Sequence, residues 1–193
     1  VAEDHVHGSE NAGLMSYFPR LFVAGQPISL DHLEPIQLIV PTHLKPDGAR
    51  IDVLFSNHCF SERFDPALHI GAQAIVWDGR IRRVFDQRRY ELSRALPGIV
   101  NDLASAVVFQ TPEANFVRIV VPAPAGAAGV DYRMFFRLKT VSSEGADLKL
   151  RVESAYSPKP GQALSTRAMS KIRFTVLVDK TLRGERIRFH HKR

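Results

Sequence analysis

The chain has 193 residues, of which 45% are hydrophobic and 24% charged, and a formal charge of +6. That composition excludes wholesale disorder and a fibrous fold and leaves room for one or two packed domains. No apolar run approaches the ~20 residues of a membrane-spanning helix, and the one cysteine, Cys59, permits neither an internal disulfide nor a CxxC zinc pair, features that suit a reducing cytoplasm.

In chain order, residues 1–14 are polar, lack the basic and apolar regions of a signal peptide, and read as a flexible tail. Residues 17–35 mix aromatics, Gly and Pro and read as irregular or short extended segments. The apolar run between Pro35 and Pro41 is a strand or edge strand, followed by a Pro-Asp-Gly turn. From Arg50 to Phe60 the residues alternate, with Ile51, Val53 and Phe55 on one face and Asp52, Ser56 and His58 on the other, which predicts a half-buried strand. Residues 71–86 predict a hairpin around Asp78-Gly79, the pair a type I′ turn favours. Residues 87–106 are the best helix, with Asp86 as N-cap, and Pro97 should kink or split it. Beyond it the segments 106–110, 115–122, 132–141, 148–157, 171–179 and 185–193 read as successive strands, with "TLRG" as a tight turn into the last of them.

The expected fold is therefore α+β: a mostly antiparallel β-sheet with one central helical segment packed on it. Residues 15–86 form a β-rich N-terminal part and 87–193 a helix plus sheet, as two lobes or one continuous domain.

Charge is unevenly spread. Residues 133–193 hold fifteen Lys/Arg and five Asp/Glu, a net of +10, against eleven and fifteen, a net of −4, in residues 1–132. Period-2 alternation places the cations on one face of each C-terminal strand. The sets are Arg133, Arg137 and Lys139 beside Phe135; Lys149 and Arg151 beside Glu153; Lys171 and Arg173; and Arg186, Arg188, His190 and Lys192. If these strands are neighbours they make a broad cationic surface suited to nucleic-acid phosphates, RNA first among them, with Phe135 as a stacking ring. Arg89, with Arg88 and Arg94 at the helix start, could join it. The plainer reading is a solvated face whose lysines and arginines guard against aggregation.

Other chemistry lacks motif support: there is no P-loop, GxGxxG, HExxH or GxSxG. In "SNHCFSERFD", His58 and Cys59 would point to opposite faces of a strand, which argues against a thiolate–imidazole pair. A metal site from His58, His69 and Asp65 has no standard zinc spacing. No cofactor is expected.

The segment "RVESAYSP" carries a likeness. An element order of helix, strands, a Ser-Ala-Tyr segment and a last strand resembles the Barnase–EndoU–colicin–RelE group of small ribonucleases. Toxin members of that group carry a Thr- or Ser-Ala-Tyr/Phe-Pro segment on a central strand. Here the match is Ser154-Ala155-Tyr156, with Ser157 placed before Pro158, and the likeness covers Gln87 to the C-terminus. The whole chain also resembles an uncharacterised bacterial family of mobile elements, a likeness that brings no activity. The ribonuclease resemblance implies metal-independent RNA cleavage, with Glu153 or His58 as base, Tyr156 or a histidine as acid, Arg151, Lys171 and Arg173 on the phosphate and Ser154 orienting it. It also implies a cognate protein inhibitor. The rival readings are a non-catalytic nucleic-acid- or protein-binding component, and an interaction protein whose basic face meets an acidic partner, its own N-terminal part or another copy in a homo-oligomer.

Overall fold

Alternation of apolar and polar residues builds the strands, and their pairing sets the rest. The computed structural model describes residues 16–71, 73–111, 113, 115–120, 131–142, 145–158, 169–185 and 187. In chain order the elements are β1 (Leu21–Val23), β2 (Gln26–Ile28), β3 (Ile36–Val40), β4 (Ala49–Phe55), β5 (Ser61–Arg63), β6 (Ile75–Asp78), β7 (Ile81–Phe85), α1 (Gln87–Ser93), α2 (Leu96–Asn101), β8 (Val107–Gln110), β9 (Phe116–Val120), β10 (Tyr132–Thr140), β11 (Leu148–Tyr156), β12 (Lys171–Arg173) and α3 (Phe174–Leu182). Short 3-10 turns occupy 31–33, 57–59 and 102–105. The expected tail at 1–14 and the expected last strand with Arg186, Arg188, His190 and Lys192 lie outside the described residues or at their margin.

Seven strands form one curled sheet in the order β12-β8-β9-β10-β11-β4-β3. The pairing is antiparallel except between β11 and β4, which run parallel. The sheet is thus mixed rather than purely antiparallel. Residues 56–147 separate β4 from β11, and a connection that long returns as a crossover where a hairpin cannot. A three-stranded sheet, β5-β7-β6, and the β1-β2 hairpin stand beside it.

Ala49, Ile51, Val53 and Phe55 of β4 and Leu148, Leu150 and Val152 of β11 turn inward. There they meet Tyr90, Leu96, Val100 and Leu103 of the helical segment and Phe174, Leu177 and Val178 of α3. Phe136 packs edge-on to Phe174 at 6.0 Å and stacked with Phe116 at 5.8 Å. Each such ring removed from water contributes about 1.5–3 kcal/mol. This single buried cluster draws on residues from Leu30 to Val178 and so crosses the expected division at 86.

The helical segment behaves as its sequence dictates. The Asp86 carboxylate accepts from the Arg89 amide at 2.8 Å, and Pro97 sits in the first turn of α2, where its missing N–H costs nothing. Two expectations change. The β6–β7 register pairs Asp78 with Ile81, so the two loop residues are Gly79 and Arg80. Only Gly79 has positive φ, +59°, the signature of a type II′ turn rather than type I′. The second change lies at 171–179, expected as a strand. Only Lys171–Arg173 is extended, and the chain then turns into α3, where Phe174, Leu177, Val178 and Thr181 are buried at helical spacing. "TLRG" closes that helix, with Gly184 at φ +65°. Among the described residues no helix is long and apolar enough to cross a membrane.

Candidate functional site

Strict alternation along β11 would leave Lys149, Arg151 and Glu153 on the outer face and send Tyr156 inward. The strand does otherwise. Phe135 pairs with Ser154 and Phe136 with Val152, so Glu153 is one residue too many on β11. This β-bulge resets the parity. Ala155 takes the inward place against Met134, fully buried, and Ser154 and Tyr156 turn out beside Arg151 and Glu153. The residues Arg151, Glu153, Ser154 and Tyr156 thereby line one pocket of about 890 Å³, which also takes in His58, Asp78, Asn115 and Phe135.

His58 reaches this pocket because the chain leaves the ladder at the end of β4. It turns through Asn57–Cys59 as a 3-10 helix, not as the expected continuation of the strand. Ser56 joins the two halves of the site. Its amide donates to the Val152 carbonyl at 3.0 Å, its hydroxyl donates to the Glu153 carbonyl at 2.6 Å, and the same oxygen accepts from the His58 amide at 3.1 Å. His58 Nε2 lies 2.7 Å from Asp78 Oδ2. A carboxylate accepts, so Nε2 carries the proton and Nδ1 keeps a lone pair. Burial, only partly offset by the Asp78 hydrogen bond, pushes the imidazole below its ordinary value, and Arg83 adds to the depression. The depression favours the neutral ring, with one nitrogen unprotonated.

Glu153 is held differently. One carboxylate oxygen pairs with Arg137 Nε at 3.0 Å and the other accepts from Asn115 Nδ2 at 3.1 Å. Asn115 is fixed in turn by the Thr111 hydroxyl on its Oδ1. Tyr156 stacks on Phe135 at 5.5 Å between centroids, and the Arg89 guanidinium lies 5.2 Å from its ring centre. Among the described residues its hydroxyl has no hydrogen-bond partner, and neither does the exposed guanidinium of Arg151.

The cations divide into groups. Arg137 faces Arg151, and Lys139 faces Lys149, directly across the β10–β11 ladder, all four exposed on the face away from the helices. Arg133 is 5% exposed and pairs with Asp131, which removes it from any cationic surface. Arg89 is tied to the carbonyls of His58 and Ser61 at 3.2 and 3.0 Å and serves the site as scaffold. Lys171 and Arg173 stand on β12, the far edge, with β8 and β9 between them and β10, so they do not extend the patch. Lys171 instead lies over the Phe109 ring at 5.8 Å. The candidates Arg186 and Arg188 fall outside the described residues.

Cys59 is fully buried, and burial pushes its thiol up to about 12, a small hydrophobe rather than a nucleophile. His69 pairs with Glu62 at 2.9 Å, away from His58, and among the described residues no three His, Cys, Asp or Glu side chains converge on a metal-sized space. Sequence reasoning saw Ser56 only as a polar neighbour of His58 and missed Asp78 and Asn115 as site residues. Asp78 was visible only as a turn residue, and Asn115 carried no signal.

The fold and pocket define an α+β protein with a mixed curled sheet, helices on one face and a polar pocket with an arginine–lysine patch on the other. The chain belongs to the YjaZ family, whose sequence profile matches residues 20–182. No curated protein and no solved structure matches it.

Proposed function

We propose that this pocket binds RNA and cleaves it by acid–base transfer through protein side chains. The observation that carries the reading is the pair of like-charged cross-strand couples, Arg137–Arg151 and Lys139–Lys149, leading into a pocket that holds an Asp-oriented neutral histidine. Glu153 offsets the first couple through Arg137; like charges directly opposite on a sheet cost stability, and an anion on that face offsets the cost that remains, at Arg151 and at the lysine couple.

The step follows from the groups present. His58 Nδ1 takes the proton of a ribose 2′-hydroxyl. The 2′-oxygen attacks the adjacent phosphorus, the bond to the 5′-oxygen breaks, and that oxygen takes a proton from the Tyr156 hydroxyl. The products are a 2′,3′-cyclic phosphate and a free 5′-hydroxyl. Arg151, unpartnered among the described residues, meets the charge that builds on the phosphoryl oxygens. Glu153, with both oxygens engaged, fits a role in placing Arg137 and the bulge better than that of base. Ser154, at the bulge, orients the phosphate in this reading.

The test is cleavage of a fluorogenic single-stranded RNA, with an all-DNA strand as control. His58→Ala and Tyr156→Phe should each lower kcat by about 10²–10⁴. Because burial depresses the imidazole, the acid limb of the rate profile should fall below its ordinary value near 6.5. RNA left intact between about pH 5 and pH 9 refutes the catalytic reading. A second reading, binding without cleavage, is favoured by the engagement of Glu153, and it predicts salt-sensitive binding with the RNA unchanged.

A further inference from the structure

A second cavity, of about 680 Å³, opens on the other side of Tyr156. Tyr156 is the residue the two cavities share. Its walls differ from those of the first. Phe64, Leu68 and Leu92 give it an apolar side, and Arg63 and Arg88 stand at its rim. The Phe64 ring is fixed by the Arg82 guanidinium 3.9 Å from its centre and by His69 stacked at 5.7 Å. Arg63 is exposed and its side chain makes no ion pair or hydrogen bond among the described residues, while Arg88 reaches only the Ser157 hydroxyl, at 3.4 Å. The other wall is polar and carries three carboxylates, Glu62 on His69, Asp65 on the Ala67 amide and Asp86 on the Arg89 amide. The two guanidiniums are therefore available at a cavity that is apolar on one side only. A flat heteroaromatic base linked to a phosphate matches that combination.

Resting on the ribonuclease reading above, we propose that this cavity holds the leaving nucleoside, so that the substrate is single-stranded RNA spanning both cavities across Tyr156. The placement agrees with the chemistry. The group that protonates the leaving 5′-oxygen belongs on the partition between the nucleotide that keeps the 2′-oxygen and the one that departs, and Tyr156 is that partition. A base must leave its stack to enter either cavity, which excludes an intact duplex.

The experiment compares two uncleavable probes by calorimetry: a mixed-base 2′-O-methyl nucleoside 3′-phosphate, filling one cavity, and a mixed-base 2′-O-methyl trinucleotide, reaching both. The native chain should bind the trinucleotide at least about tenfold more tightly. In the Arg63→Ala/Arg88→Ala double variant, both positions exposed and circular dichroism confirming the fold, that ratio should fall below about threefold. A ratio near one in the native chain, or a tenfold ratio that survives the double substitution, overturns the inference while leaving the ribonuclease reading intact. If neither probe binds the native chain, the RNA reading falls and this inference with it.

Discussion

Lys139→Glu separates the cost of the cationic face from its use. Lys139 stands opposite Lys149 on the outer face of the β10–β11 ladder, and β9 pairs only with residues 132–136, so no other strand supplies a partner at that level. Lys149 has Asp52 on its other side, in register across the parallel ladder. Reversing Lys139 replaces a like-charge pair with an opposite one. Each such exposed pair is worth about 0.2–1 kcal/mol, and solvent screening holds the change near ~0.5–1 kcal/mol. In a chain of this size that is a rise in Tm of about 1–4 °C at low salt, shrinking in 0.5 M salt as the Debye length contracts. RNA binding should move the opposite way. With one fewer phosphate contact, the slope of log K against log salt on a single strand should lose about 0.7 of its magnitude. Thermal melting by circular dichroism and a salt titration of binding read the two effects separately. A Tm that falls at low salt refutes the repulsion argument. A Tm that rises with an unchanged salt slope refutes the claim that Lys139 meets phosphate.

Three further outcomes test the scaffold. Asp147 ties the β10–β11 turn to the β3–β4 hairpin, pairing with Lys45 and accepting from the Arg50 amide at 2.8 Å. The Lys45 bond first, then the amide, hold its carboxyl below the usual range. A depressed carboxyl stabilises the fold above its unfolded value near ~3.9 and loses that contribution as pH falls through the folded value. Asp147→Ala should therefore cost about 1 kcal/mol at neutral pH, with the gap to the native chain narrowing in acid, and a constant gap refutes the assignment. Cys59 should resist a disulfide reagent at pH 8 in the folded chain and react with one equivalent after unfolding, and rapid native labelling would contradict its burial. The buried Tyr132 hydroxyl has no partner among the described residues, so Tyr132→Phe should leave stability unchanged or raise it by up to ~1 kcal/mol, and a clear loss means the hydroxyl is bonded.

Where one period dominates, the sequence was easy to read. In β4 and the outer half of β10 the alternation of residues is the alternation of burial, and at Asp86 and Pro97 the capping chemistry marks both a helix start and its division. From Ile172 to Val178 two periods coincide. Ile172, Phe174, Val176 and Val178 alternate as a strand would, while Phe174, Leu177, Val178 and Thr181 repeat as a helix. Packing of Phe174 on Phe136 goes with the helix, a tertiary term that local preference does not contain. The cationic surface was overdrawn for a related reason. Alternation tells which residues share a face of a strand, but strand order sets which faces adjoin, and β8 and β9 lie between β12 and β10.

The site turns on a feature that no residue announces. Neither Gly nor Pro marks the bulge in β11, and without it Tyr156 would share the inner face with Val152 while Ala155 faced solvent. The extra residue is accommodated because β4 stops pairing at the same level. The last partners in the parallel ladder are Val152 and Phe55, and Ser56 then covers the freed Glu153 carbonyl with its hydroxyl. That same hydroxyl oxygen receives the His58 amide, so the turn presenting the imidazole and the bulge presenting Tyr156 share one hydrogen-bonded joint. Where β4 ends and β11 runs on, the backbone groups on that edge of β11 are satisfied by side chains rather than by a neighbouring strand. Here the satisfaction of those groups brings His58 and Tyr156 to the walls of one pocket. The pocket is thus a consequence of how the central ladder terminates, with the arginine and lysine couples leading into it.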